Sequence, residues 1–127
     1  MSGRLFLCAT PIGNLKDITL RALDVLAAVP LIAAEDTRHT RQLLNHFQIK
    51  TALTSYHRHN EQSKSEELIA HLKAGRDLAL VSDAGLPGIS DPGEILVKKA
   101  VQEDINLEVI PGAVAFVSGL VISGLPT

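Results

Sequence analysis

Four short segments hold most of the residues whose types and spacing could do chemistry. Residues 82–93 read Ser-Asp-Ala-Gly-Leu-Pro-Gly-Ile-Ser-Asp-Pro-Gly. Their three glycines let the backbone come close to a bound molecule, and the two prolines stiffen the path. The segment follows the apolar run 78–81, so a buried strand delivers Asp83 to the rim of the fold. A plain connection between strand and helix takes about 2 to 6 residues, and this one is longer. Asp83 has a purely local alternative, capping a turn through its own backbone. Thr10-Pro11-Ile12-Gly13-Asn14-Leu15 follows the apolar run 5–9, and Pro111-Gly112-Ala113 follows the run 107–110. The fourth segment, Glu35-Asp36-Thr37-Arg38, carries paired carboxylates after the run 31–34. In nucleotide-binding folds an acidic residue at that place meets ribose hydroxyls. The alternative is structural: Asp36 or Thr37 as a helix N-cap, and Glu35 with Arg38 as an ion pair.

Positive charge and histidine gather nearby. Arg38, His39, Arg41 and His46 crowd one helical stretch, and His57-Arg58-His59 follow the run 52–55. Together they could form the basic patch that RNA requires. Tyr56 is the aromatic available there for stacking. Solvated polar faces are the competing explanation.

Several chemistries lack their residues. The first turn has one glycine where a dinucleotide-binding turn has Gly-x-Gly-x-x-Gly, and no Gly-x-x-x-x-Gly-Lys-Ser/Thr occurs. No Cys/His spacing fits a zinc site and no Gly-x-Ser-x-Gly elbow is present, so no metal is expected.

The elements that must position these segments follow a regular rhythm. Apolar runs of strand length at 5–9, 31–34, 52–55, 78–81 and 107–110 alternate with helical patterns, which predicts a parallel sheet. Leu20, Leu23 and Leu26 space one helical face; Leu43, Leu44 and Phe47 form a second; Leu68, Ile69 and Leu72 form a third, stopped by Gly75. Ser63 and Glu66 have capping-box spacing, and Asp91-Pro92-Gly93-Glu94 offers a cap and a first-turn proline before a fourth helix. The expected fold is a doubly wound α/β domain: a mainly parallel five-stranded sheet with helices on both faces. Ligands of such sheets bind beyond the carboxyl ends of the strands, so the chemical segments should converge on one rim.

Composition agrees with a single α/β domain spanning 1–127. The chain is 46% hydrophobic and 20% charged, with a net charge of −2 that gives no global pull toward nucleic acid. Cys8, the only cysteine, lies inside an apolar run and reads as a buried thiol in a reducing compartment. The apolar start is too short for a signal peptide, so a cytoplasmic location is expected. Residues 109–125 are strongly apolar but interrupted by Pro111-Gly112 and Ser118-Gly119, which predicts a core helix and no membrane span.

The stretches 10–23, 34–40 (Ala-Glu-Asp-Thr-Arg-His-Thr), 82–93 and 123–127 (Ser-Gly-Leu-Pro-Thr), taken in order, resemble the ribosomal RNA small subunit methyltransferase I family, within the tetrapyrrole methylase superfamily. The resemblance covers nearly the whole chain. It implies an S-adenosylmethionine-dependent enzyme that methylates the ribose 2′-hydroxyl of a cytidine in the decoding region of 16S rRNA, within the small ribosomal subunit. It also implies a homodimer and a second α/β domain beginning where this chain ends, so that residues 1–127 are the N-terminal domain and inactive by themselves. By the same resemblance, cofactor contacts fall on Pro11, Ile12, Asp83, Ala84, Gly85, Leu86, Val114 and Ala115. Glu35 or Asp36 is then the candidate catalytic carboxylate that takes or orients the hydroxyl proton, and Arg38 and Arg41 are the candidate RNA contacts.

Two residues depart from the family pattern. Pro30 stands where aspartate is more usual, and Val114 replaces a small polar residue, which removes a side-chain hydroxyl contact there. Two rival readings have other signatures. A tetrapyrrole-type small-molecule methylase should carry a Gly-x-Gly-Pro-Gly first loop, which Thr10-Pro11-Ile12-Gly13 is not. A non-catalytic RNA- or nucleotide-binding module would bind without turnover.

Overall fold

The computed structural model describes residues 1–11, 14–82, 93–112 and 124. Five strands, β1 (Leu5–Cys8), β2 (Leu31–Ala34), β3 (Ala52–Ser55), β4 (Leu78–Val81) and β5 (Leu107–Ile110), form one sheet in the order β3-β2-β4-β1-β5. Every pairing is parallel. The expected strands are all present, the first one residue shorter than its apolar run, although Ala9 N still donates to Ile110 O at 3.1 Å.

Four helices, α1 (Leu20–Ala28), α2 (Thr37–His46), α3 (Glu61–Lys73) and α4 (Glu94–Gln102), connect the strands among the described residues. Alternation along each strand sends side chains to opposite faces, and two separate cores result. Leu5, Leu7, Leu78 and Leu80 pack with Leu68, Leu72 and Leu96 of α3 and α4. Cys8, Ile32, Ala79, Val81 and Ile110 pack with Leu26 and Leu44 of α1 and α2. The sheet is thus covered on both faces, as expected for parallel strands.

The helix ends have local causes. Thr19 caps α1, its hydroxyl accepting from Ala22 N at 3.0 Å. α3 stops at Gly75, whose φ of +88° lies in the left-handed region that glycine tolerates.

Some sequence expectations need correction. Leu20 is 81% exposed; the inward face of α1 is carried by Ala22 and Leu26. The Ser63–Glu66 capping box does not form, because α3 already begins at Glu61 after Asn60. The Asn60 side chain is turned back, donating to Ser55 O and accepting from His57 N, so this locked turn sets the helix start. α4 begins at Glu94 with Gly93 at the cap position (φ 132°), while Asp91 and Pro92 lie outside the described residues. Val109 and Ile110 finish β5 rather than starting a helix, and the remainder of that expected core helix falls almost wholly outside them. No described helix is long and apolar enough to cross a membrane.

Candidate functional site

The topology opens a crevice around the carboxyl end of β4. Its neighbours β2 and β1 lead into α2 and α1 on one face, whereas β4 leads toward α4 on the other. Chains leaving adjacent strands in opposite directions create the place where doubly wound sheets bind ligands. Thr10 and Ser82, each 3% exposed, sit at the two exits, and Thr10 Oγ1 donates to Ser82 O at 3.3 Å. At the third exit, Gly112 approaches Ala9 so closely that an added Cβ would stand 3.0 Å from the alanine Cβ.

Beyond the exits at Thr10 and Ser82 lies a cavity of about 210 Å³. Buried Pro11, with Asn14 and Leu15, forms one wall; Asn14 is held in place by accepting from Lys16 N at 2.9 Å. The opposite wall is α2, through His39, Thr40, Gln42 and Leu43. Of these, the sequence alone marks His39 only for its charge and Leu43 only for packing. The signal for a shared wall was the helical spacing of 39, 42 and 43.

The two carboxylates stand in different settings. Asp36 caps α2: its Oδ1 accepts from Arg38 N at 2.9 Å, and the Arg38 guanidinium lies 3.7 Å from the same oxygen. The Arg38 N–H chiefly holds the Asp36 carboxyl below its ordinary pKa, against some desolvation, with smaller help from the His39 N–H and from the Arg38 and His39 side chains. Glu35, half-buried, immediately follows Ala34, whose carbonyl accepts from Tyr56 N at 2.8 Å.

The expected basic patch is only partly available. The Arg38 side chain is 91% exposed. Arg41 is half-buried and donates to Thr51 O at 3.0 Å, while both arginines border a broad depression with Thr37 and Leu53. Tyr56 cannot stack on a base. It is fully buried in the core, its hydroxyl 2.8 Å from Ser65 Oγ, and burial raises its pKa. An aromatic after a half-exposed strand reads as surface in sequence, but Tyr56 turns inward beneath α3.

Cys8 is buried, as expected, and desolvation pushes its thiol up to about 12. Sequence reasoning missed Glu61, whose Oε2 accepts from Gly93 N at 3.2 Å and fixes the point where the chain re-enters α4. Ile12, Asp83, Ala84, Gly85, Leu86, Val114 and Ala115 lie outside the described residues. Among the described residues no group of three or more His, Cys, Asp or Glu could hold a metal ion.

Comparison with known proteins places this geometry in context. The chain is 57% identical over 125 residues to the ribosomal RNA small subunit methyltransferase I of Synechocystis sp., covering 98% of this chain and 45% of that protein. Against the protein of the same name from Escherichia coli O157:H7 it is 54% identical, with 98% and 44% covered. The chain therefore spans less than half the length of these curated relatives. A crystal structure of uroporphyrin-III-C-methyltransferase from Thermus thermophilus superposes with a TM-score of 0.74 at 26% identity, over 99% of this chain and 55% of that one. The fold is also shared with the Thermus thermophilus uroporphyrin-III C-methyltransferase complexed with S-adenyl homocysteine, at a TM-score of 0.68 and 21% identity over 98% of this chain and 52% of that one. The family profile of the tetrapyrrole (corrin/porphyrin) methylases matches residues 4–127. With that profile matched over residues 4–127 and a crevice at the switch in its parallel sheet, the chain belongs to the tetrapyrrole methylase family.

Proposed function

We propose that this chain is the N-terminal domain of an S-adenosylmethionine-dependent methyltransferase that acts on the ribose 2′-hydroxyl of a cytidine in 16S rRNA of the small ribosomal subunit. The observation that carries the reading is the 57% identity, over 98% of the chain, to a ribosomal RNA small subunit methyltransferase I. A second domain completes the cleft, the working form is a homodimer, and the compartment is the cytoplasm.

The described side of the crevice suits the cofactor. Small residues at the strand exits, Ala9, Thr10, Ser82 and Gly112, leave backbone donors and acceptors close to any occupant. Pro11 and Ile12, residues 83–86, and Val114 with Ala115 contact it. Bound S-adenosylmethionine supplies an electrophilic methyl group on its sulfonium. This chain's residues prepare the acceptor. A 2′-hydroxyl is a poor nucleophile while protonated, so a carboxylate that accepts its proton and fixes its direction speeds transfer. Of the pair, Asp36 is committed to the α2 cap and is made less basic by the N–H it accepts. Glu35 takes the proton, Asp36 holds the turn that aims it, and Arg38, with Arg41 behind it, meets the neighbouring phosphate.

The test is transfer of labelled methyl from S-adenosylmethionine to under-modified small subunits by the full-length protein, with the product mapped to a ribose hydroxyl. Labelling that Asp83→Ala abolishes is expected. Cofactor binding without any labelling would overturn the enzyme in favour of an RNA-binding module.

A further inference from the structure

We infer that the cavity between the first exit and α2 is a pocket for one nucleobase of the RNA acceptor, with Gln42 and His39 as its specificity-determining residues. The inference rests on the rRNA methyltransferase reading and adds to it the part of the substrate held here. Size comes first. About 210 Å³ is below the range of about 300–1,000 Å³ typical of whole small-molecule sites. It suits a single heterocyclic ring and is too small for a complete cofactor.

The lining fits a base. Pro11, Leu15 and Leu43 offer apolar contact to ring faces. His39 and Gln42, both exposed and one helical turn apart, stand at the mouth. The Gln42 amide both donates and accepts, as an amino-bearing base edge requires, and an imidazole can stack on or bond to a base. The setting fits a nucleotide as well. His39 is three residues from Asp36, about 4.5 Å along the helix axis. A base beside His39 keeps its own ribose near the Glu35–Asp36 turn, with Arg38 exposed for the phosphate.

A purine of the cofactor offers the same ring chemistry, so the test must separate the two sources. Gln42→Ala and His39→Ala are made in the full-length protein, and two quantities are read: kcat/KM for under-modified small subunits, and Kd for S-adenosylmethionine by calorimetry. An acceptor-base pocket predicts a loss of about tenfold or more in kcat/KM from Gln42→Ala, with cofactor Kd within about twofold and melting temperature unchanged. A parallel weakening of cofactor binding would reassign the pocket to the adenine and overturn the inference. Unchanged kinetics in both variants would overturn it as well, while leaving the methyltransferase reading intact. A wild-type protein that labels no subunits removes both.

Discussion

At the scale of single residues, Glu35 and Asp36 are adjacent in sequence, Glu35 half-buried at the end of β2 and Asp36 fixed at the cap of α2. Asp36 holds its cap through the Arg38 N–H, and its depressed pKa contributes stability that is present above the ordinary carboxylate range and lost as pH falls through the folded value. Asp36→Asn keeps an acceptor at the cap. It should leave melting at neutral pH nearly unchanged and flatten the acid limb of the stability curve, read by thermal melts from pH 2 to 7. In the full-length protein Glu35→Gln should lower methyl transfer by about 10²-fold or more, and Asp36→Asn by only a few fold. Equal losses would return the proton to Asp36. Cys8 offers an independent check. Its thiol is raised by burial, then lowered by Arg21 and raised by Glu108 to smaller extents, to a pKa of about 12. Because the unfolded thiol ionises near 9.0, this group's contribution declines from about pH 9 toward 12. Cys8→Ala should remove that share of the alkaline decline, and a thiol reagent should label wild type only on unfolding.

At the scale of elements, strands were the most legible part of the sequence. A buried parallel strand is a short unbroken apolar run, as β2 and β4 are; the edge strands β3 and β5 are half-exposed and less purely apolar, yet all four end where the sequence reading ends them. Helix starts were less legible, because a capping pattern is short and a nearby turn can pre-empt it. Ser63 and Glu66 have the right spacing, but the Asn60 turn begins α3 three residues earlier than a cap at Ser63 would. The wall of the cavity was hidden for another reason: Gln42 carries no charge or motif, and only the docking of α2 opposite Pro11 gives it a role. Thr19→Ala should destabilise the fold by about 1 kcal/mol through the lost α1 cap, whereas Leu20→Ala, on the same turn but 81% exposed, should stay within about 0.5 kcal/mol. Chemical denaturation of both distinguishes cap from side-chain burial. Gly3 has a different constraint. A Cβ there would stand 2.0 Å from Arg76 O, so Gly3→Ala should cost about 1–3 kcal/mol as the start of β1 shifts, in the same assay.

At the scale of the whole molecule, β4 joins everything. Its four residues are all buried, Leu78 and Leu80 in one core, Ala79 and Val81 in the other, and its carboxyl end forms the centre of the candidate site. Leu78→Ala should therefore cost about 2–5 kcal/mol, with the loss seen equally by probes on α1 and on α3 if the two cores unfold together. The strand order also bears on how the chain is made. β1 and β2 emerge from the ribosome before β4, yet neither is the other's neighbour; Leu5 pairs with Leu78 and Ile32 with Ala79. The opening half of the chain thus holds two apolar strands whose shared partner has not been synthesised. Contacts this distant in sequence slow folding, and the unpaired edges invite association with other chains. Nascent chains halted before residue 78 should remain protease-sensitive, and protection should arise in one step once β4 can insert between its two waiting neighbours.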